Sequence, residues 1–98
     1  MDSSKHIFIS YSRADGEFAL ELARDLRKAG IDIWMDRLDI APGARWDREV
    51  EAALNTCERL LIILSPSSAQ SENVQDEIGF AMREKRPIIP VLYRPCKV

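Results

Sequence analysis

The sequence predicts an α/β domain built on an open parallel sheet, and three observations lead to this fold class. Four short apolar runs, rich in isoleucine, leucine and aromatic residues, have the length of strands and lie at 6–12, 31–36, 59–65 and 87–93. Continuous apolar runs of this kind are typical of strands that are covered on both faces of a parallel sheet. Helical patterns separate the runs, and this alternation favours right-handed βαβ connections.

The four runs differ in how they fit into a sheet. The third run, RLLIILS, is almost unbroken in its apolarity, which suits a strand covered on both faces. The fourth run contains Pro90, and a proline cannot donate a hydrogen bond to a neighbouring strand. We therefore expect the fourth strand to be short or to lie at the edge of the sheet.

Three helical patterns link the strands. The first covers 15–30, with Asp15 as its predicted N-cap and Gly30 as its predicted stop. The second begins near Arg45 and the third covers roughly 73–85. Apolar side chains recur at helical spacing in all three and define the faces that should be buried. In chain order these faces are Phe18, Ala19, Leu22, Ala23, Leu26 and Ala29; Trp46, Val50, Ala53, Leu54 and Cys57; and Val74, Ile78, Ala81 and Met82.

Composition and charge exclude several classes of function. The 98 residues are enough for one domain, and the net charge of -2 argues against nucleic acid, which requires a basic face. Cys57 and Cys96 show neither metal nor redox spacing, so we expect a reducing compartment. We expect no signal peptide, and no apolar run reaches the roughly 18–20 residues that span a membrane. We expect a cytoplasmic domain without membrane contact.

The strand order decides where a ligand should bind. If the order is 2-1-3-4, the flavodoxin-like arrangement with helices on both faces, ligands lie outside the carboxyl ends of the strands where the order reverses. The crevice is then expected between strands one and three, with residues 10–15 and 65–73 as its walls. Glu77 lies near the start of the next helix, so we expect it to overhang this crevice.

Glu77 has two interpretations. At about 100° per residue, Asn73, Glu77, Phe80 and Glu84 share a stripe beside the buried face of the third helix, and an aromatic ring next to a carboxylate could line a pocket. Alternatively Glu77 is a solvated charge, because the helix dipole alone favours acidic residues in a first turn. The pattern leaves both interpretations open.

Other side chains near the crevice also have two interpretations each. Ser10, Tyr11 and Arg13 end the first strand and either contact a ligand, with Arg13 facing a phosphate, or form an ordinary polar loop. Ser65 ends the third strand and offers a hydroxyl, although Ser-Pro-Ser is also plain turn chemistry. Trp46 either anchors the second helix to the core or lines the pocket.

Three site types do not fit the sequence. Asp36 and Asp39, on the loop after strand two, match no metal-binding spacing, so we expect no metal. The turn after strand one contains only Gly16, so the glycine-rich dinucleotide fingerprint is missing. A response-regulator receiver shares the predicted architecture but needs an aspartate at the end of strand three, where this chain has Ser65.

Three segments resemble the signatures of one family, in the expected order. HIFISYSRAD resembles a first strand that ends in Ser-Tyr, and DIWMDRLDIAPGARW resembles a second strand whose loop carries Pro42-Gly43 at a characteristic position. RLLIILSPSSAQSENVQDEI resembles the third strand, its Ser-Pro turn and the acidic helix beyond it. On this evidence residues 1–98 are similar to a single bacterial Toll/interleukin-1 receptor (TIR) domain that lacks the last strand and helix.

The resemblance implies that the chain is an enzyme acting on NAD. Many bacterial TIR domains cleave the bond between nicotinamide and ribose, and the glutamate essential to that reaction matches Glu77. NAD⁺ is then the substrate, and no bound cofactor is expected. The residues expected to contact the substrate are Ser10, Tyr11, Arg13, Trp46, Ser65, Asn73 and Phe80. The enzymes often carry Trp where this chain has Asn73, which removes one aromatic wall that Phe80 or Trp46 would have to replace.

The alternative implied by the resemblance is a non-catalytic adaptor that binds other TIR domains. Its contacts are expected on the loop over 36–46 and on helix surfaces. The loop residues in question are Asp36, Asp39, Pro42 and Gly43. In both cases we expect the domain to self-associate, within a bacterial defence or signalling protein, because activity in this family often depends on clustering.

Overall fold

The computed structural model describes residues 6–40, Gly43 and residues 46–94. Its elements in chain order are strand β1 (Ile7–Ser10), a 3-10 turn (Arg13–Asp15), helix α1 (Gly16–Lys28), strand β2 (Ile33–Trp34), helix α2 (Asp36–Asp39), helix α3 (Trp46–Thr56), strand β3 (Arg59–Leu64), helix α4 (Pro66–Ala69), helix α5 (Glu72–Arg83) and strand β4 (Ile88–Leu92). None of the helices in these described ranges is long and apolar enough to cross a membrane.

The described strands form one parallel sheet in the order β2-β1-β3-β4, which confirms the predicted flavodoxin-like topology. β1 pairs in parallel with both β2 and β3, and β3 pairs in parallel with β4. The chain therefore moves outward from β1 to β2 and then crosses back to the other side of β1, which places the reversal of strand order at β1.

Alternation of side chains along the strands produces two cores, one on each face of the sheet. Phe8, Leu60 and Ile62 point to one face, where residues of α3 and α5 cover them. Ile9 and Leu61 point to the other face, which α1 covers with a close-packed alanine stripe. The prediction of helices on both faces is confirmed.

The second strand and the segment after it differ from the sequence prediction. β2 is limited to Ile33–Trp34, and residues predicted as the end of a strand and as a loop form the short helix α2 instead. The carboxylate of Asp39 accepts a hydrogen bond from the backbone N–H of Met35 at 2.8 Å and forms an ion pair with Arg27 at 2.9 Å. This local contact closes the turn of α2, and a four-residue helix is too short to show helical periodicity in the sequence.

The predicted inner face of α5 is right at Val74, Ile78 and Ala81 and wrong at Met82, whose side chain is 68% exposed. Met82 lies about 80° around the helix from Val74, so it stands at the edge of the buried arc. Glu77 lies at the opposite edge of the same arc, and that edge faces α3 across a cavity. The orientation of α5 therefore turns Glu77 inward and Met82 outward.

Strand β4 is the edge strand on one side of the described sheet, as Pro90 predicts. The carbonyl of Pro87 accepts a hydrogen bond from Leu60, and the N–H of Tyr93 donates to Leu64, both at 2.9 Å. Successive residues of a strand direct their backbone polar groups to opposite sides. Pro90 is three positions from both Pro87 and Tyr93, so it faces the open edge and removes no hydrogen bond to β3.

Candidate active site

A cavity of about 610 Å³ opens at the carboxyl ends of β1 and β2, between α5 and α3. It brings together the turn after β1, the start of α2 and one side of α5, which are far apart in the sequence. Six of the candidate site residues predicted from the sequence line it, namely Tyr11, Arg13, Asp36, Asn73, Glu77 and Phe80.

The space between the ends of β1 and β3, where the crevice was predicted, holds a buried hydrogen-bond network. The hydroxyl of Ser65 donates to the carboxylate of Asp15, and the hydroxyl of Ser12 donates to the same carboxylate oxygen at 2.9 Å. Ser65 also accepts a hydrogen bond from the N–H of Ser68 at 3.1 Å, which caps α4. All four residues are buried. Ser65 is therefore used to hold two loops together and does not line the cavity, which lies on the other side of β1.

Glu77 is half-buried in the cavity wall and accepts a hydrogen bond of 2.6 Å from the hydroxyl of Ser10. Ser10 follows Phe8 by two positions in β1, so both side chains point to the face of the sheet that α5 covers. Helix α5 is fixed at its start, where the hydroxyl of Ser71 accepts a hydrogen bond from the N–H of Val74 at 3.3 Å and caps the first turn. Strand alternation and this cap together bring Ser10 and Glu77 into contact.

The surroundings of Glu77 favour its protonated form. The pKa of Glu77 is raised to about 7, mainly by burial; the hydrogen bond from Ser10 opposes this rise, and the negative charges of Asp36 and Asp76 add to it. Burial has the largest effect, because the ionised carboxylate loses hydration that a single hydroxyl does not replace. Glu77 therefore changes charge near neutral pH, which is uncommon for a glutamate and typical of functional sites.

Tyr11 and Asp36 form one rim of the cavity. The Tyr11 hydroxyl donates to the Asp36 carboxylate at 2.5 Å, and the same carboxylate oxygen accepts the backbone N–H of Arg37 at 2.7 Å. Burial, followed by the hydrogen bond to Asp36, raises the pKa of Tyr11 far above its usual range. Tyr11 thus stays a neutral donor and fixes Asp36 close enough to Glu77 to affect its ionisation.

Aromatic rings form the apolar part of the cavity. Phe8 and Trp34 stack with their ring centroids 5.1 Å apart and line its floor. Phe80 lines the side, and the guanidinium of Arg86 lies over its ring at 5.7 Å from the centroid. Arg86 also donates to the backbone carbonyls of Cys57 and Asn55, so the position of the Phe80 ring is tied to the end of α3.

The sequence did not point to several residues that line the cavity. Trp34 was assigned to a strand without a role, and Asp76 and Arg83 lie on α5 beyond the predicted stripe. The placement of Trp34 follows from the same alternation that directs Phe8 inward, so its register against β1 was the missing information. On α3, Asp47 and Glu51 add carboxylates from the opposite wall.

The described lining is predominantly acidic. It contains five carboxylates, from Asp36, Asp47, Glu51, Asp76 and Glu77, and two guanidiniums, from Arg13 and Arg83. A partly enclosed cavity with this balance attracts a cationic group. Among the described residues, no three His, Cys, Asp or Glu side chains are grouped so that they could hold a metal ion.

The loop residues predicted for domain contacts separate into different roles. Asp36 lines the cavity, and Asp39 is bound to Arg27 and to the backbone of Met35. Gly43 is exposed and has a φ of 85°, a left-handed conformation that favours glycine. Pro42 and the side chain of Trp46 lie outside the described residues.

Comparison with known proteins identifies the family. The model of the TIR domain family matches residues 7–98. The crystal structure of the TIR domain of the Toll-related receptor TRR-2 from Hydra magnipapillata superimposes with a TM-score of 0.81 and 27% identity, and the match covers 94% of this chain and 73% of that one.

Two relatives carry names that describe an activity. The chain is 32% identical over 96 residues to NAD(+) hydrolase PdTIR of Paracoccus denitrificans, a match that covers 93% of this chain and 32% of that protein. It is 28% identical over 94 residues to the probable 2' cyclic ADP-D-ribose synthase BdTIR of Brachypodium distachyon, covering 94% of this chain and 42% of that protein. The chain thus spans less than half the length of either relative.

Proposed function

This chain belongs to the TIR domain family, and from that premise we propose that it cleaves the bond between nicotinamide and ribose in NAD⁺, with Glu77 as the catalytic group. The observation that carries the proposal is the position of Glu77, a half-buried carboxylate in the wall of a cavity of about 610 Å³ at the carboxyl ends of β1 and β2. The names of the relatives PdTIR and BdTIR support the same substrate.

One carboxylate is sufficient for this reaction. Most glycosidases need a second carboxyl group that protonates a poor leaving group. The nicotinamide of NAD⁺ is a cationic pyridinium, so the electron pair of the C–N bond passes to the ring nitrogen and nicotinamide leaves as a neutral molecule. Positive charge then develops on the ribose, where an ionised Glu77 stabilises it directly or through the ribose hydroxyls. Water adds to the ribose carbon and loses a proton, or a group of the same molecule closes a ring.

The ionisation of Glu77 fits a cationic substrate. Without ligand, burial raises the pKa of Glu77 to about 7, so the carboxylate is partly protonated at neutral pH. A pyridinium bound beside it favours the charged form of Glu77, because an opposite charge within a few ångströms lowers the pKa of a carboxylate. The acidic lining supports this binding, since most of its charges attract the cationic ring.

Aromatic side chains of the cavity offer the nicotinamide ring a stacking surface that Asn73 does not provide. Asn73 is exposed and lines the cavity four positions before Glu77, where it offers hydrogen bonds but no ring face. Phe80 and Trp34 line the same cavity, and their ring faces suit a flat aromatic ligand. We assign the aromatic contact to these two residues.

A catalytically silent adaptor is the second candidate function. The observation in its favour is the exposed Gly43, whose φ of 85° holds the loop in a conformation that other residues rarely adopt. An adaptor that binds other TIR domains depends on this loop and is indifferent to the charge of Glu77. The two functions are compatible if self-association is needed for catalysis, and we propose that it is.

The test is the release of nicotinamide from NAD⁺ by the full chain, free in solution and clustered on a multivalent scaffold. The matched variants are Glu77→Gln, which keeps an acceptor for Ser10, and Glu84→Gln, which removes an exposed charge of the same helix outside the cavity. We expect Glu77→Gln to lose most of the activity and Glu84→Gln to keep it. Equal activity in the wild type and Glu77→Gln, or no release even when clustered, would exclude the enzyme and leave the adaptor.

A further inference from the structure

A second chamber of about 470 Å³ adjoins the cavity that contains Glu77. Tyr11, Arg13, Asp36 and Asn73 line both spaces, so the two chambers share a wall. The second chamber is completed by Arg37 from α2 and by Ser71, the N-cap of α5. An elongated ligand that reaches Glu77 in the first chamber can therefore extend past Arg13 into the second.

The charge of the second chamber is opposite to that of the first. Its described lining contains two guanidiniums, from Arg13 and Arg37, and one carboxylate, that of Asp36. Asp36 is already bonded by the Tyr11 hydroxyl and by the backbone N–H of Arg37. Within residues 6–40, 43 and 46–94, neither guanidinium forms an ion pair or a hydrogen bond. Two planar, permanently charged donors with no partner among these residues are suited to phosphate oxygens.

We propose that the second chamber binds the diphosphate of a dinucleotide through Arg13 and Arg37, while its nicotinamide riboside end lies beside Glu77. This inference rests on the proposed function, which it extends by naming the residues that distinguish a dinucleotide from nicotinamide riboside. A molecule that is cationic at one end and carries two phosphates beyond it matches the acidic first chamber and the basic second chamber together. The hydroxyl of Ser71 and the amide of Asn73 add polar groups along the same wall.

The guanidinium of Arg37 lies close to the start of α1. A Cβ atom at Gly16 would lie 2.8 Å from Nη1 of Arg37, so the guanidinium lies against the start of α1 where a side chain would displace it. The helix that carries Arg37 is held by Asp39, through Arg27 and the backbone of Met35. On this proposal we expect Arg37 to distinguish a dinucleotide from nicotinamide riboside, a role separable from that of Glu77.

The test is the affinity of the full chain for ADP-ribose, which contains the diphosphate but has no bond to cleave, measured by titration calorimetry. Arg13→Gln and Arg37→Gln should each weaken binding about tenfold, the effect of losing one charge-assisted hydrogen bond in a solvent-exposed site. Arg37→Lys should restore part of the affinity. Adenosine, which has no phosphate, should bind all variants equally. The control is Arg59→Gln, which removes the same charge at the opposite end of the sheet.

A failure of the proposed diphosphate site can be distinguished from a failure of the proposed function. ADP-ribose binding that depends on Arg13 and Arg37 supports a diphosphate site in the second chamber even if nicotinamide is never released. Three results would each overturn the proposal that the second chamber binds a diphosphate, whether or not NAD⁺ is cleaved. They are no binding of millimolar ADP-ribose by the wild type, an affinity that Arg37→Gln does not change, and an equal loss of affinity in Arg59→Gln. If cleavage occurs, Arg37→Gln should raise KM for NAD⁺ more than KM for nicotinamide riboside, which has no diphosphate, whereas a structural defect would lower the turnover of both substrates.

Discussion

The hydroxyl of Ser10 lies 2.6 Å from a carboxylate oxygen of Glu77, although the two residues are 67 positions apart in the chain. Ser10 is the last residue of β1, and Glu77 is on α5, the second helix after β3. Because parallel strands end at the same edge of the sheet, the fold brings this serine and this glutamate together. A single hydroxyl offsets only part of the hydration that Glu77 loses on burial, which leaves the pKa of Glu77 raised.

The first prediction concerns the effect of this burial on stability. The pKa of Glu77 is about 7 in the folded chain, above its ordinary value of 4.5. The folded state therefore binds the proton more tightly, so the stability due to this group is complete below pH 4.5 and is lost as pH rises through 7. Glu77→Gln should be more stable than the wild type at pH 8 by about 3 kcal/mol, and the gap should close at pH 4.

Urea unfolding of both proteins at several pH values measures this difference. Glu84→Gln is the control, because Glu84 is exposed on the same helix and should reproduce the pH dependence of the wild type. A Glu77→Gln variant whose stability follows the wild type in parallel at every pH would show that the carboxylate is well hydrated in the folded chain.

The second prediction concerns the pH profile of NAD⁺ cleavage. If the reaction requires ionised Glu77, kcat/KM should rise with pH through a midpoint near 7. Ser10→Ala should move the midpoint to higher pH, because the hydrogen bond that favours the carboxylate is removed. Asp36→Asn should move it to lower pH, because a neighbouring negative charge is removed.

Opposite shifts from two neutral substitutions distinguish an electrostatic effect from general damage to the site. Tyr11→Phe is the companion to Asp36→Asn, because it removes the hydrogen bond to Asp36 and leaves the charge. If the midpoints of Ser10→Ala and Asp36→Asn moved in the same direction, or if the pH profile were flat around pH 7, the role of Glu77 ionisation would be contradicted.

The sheet and the position of Glu77 could be predicted because both follow from patterns that are local in the sequence. Apolar runs of strand length indicate β1 and β3, and helical spacing in α5 places Glu77 at the margin of the buried face. The strand order then puts that margin near the end of β1. These steps need no knowledge of individual contacts.

The role of Ser65 could not be predicted, since it depends on a contact between residues that are 50 positions apart. Ser-Pro-Ser reads as a turn or as a group of free hydroxyls, and the sequence does not reveal that Asp15 is buried beside it. The pairing of Ser65 with Asp15 closes the expected crevice, and the cavity opens on the other side of β1. Met82 shows the same limit, because residues at the two edges of a helical arc are equivalent until the orientation of the helix is known.

The last prediction separates stability from ligand affinity at Gly16. This residue has a φ of -58° and a ψ of -38°, so alanine fits its backbone and should stabilise the chain by about 0.5 kcal/mol through the unfolded state. The new Cβ would lie 2.8 Å from Nη1 of Arg37, the end of a flexible side chain that can move away at little cost. Gly16→Ala should therefore raise the thermal midpoint and weaken ADP-ribose binding several-fold, in proportion to the displacement of Arg37. Gly79→Ala is the control, since its Cβ would meet Nη1 of Arg83 at 3.5 Å, an ordinary van der Waals contact, and should stabilise α5 without changing the affinity. A Gly16→Ala variant that is more stable and binds ADP-ribose like the wild type would show that the observed position of Arg37 is not needed for binding.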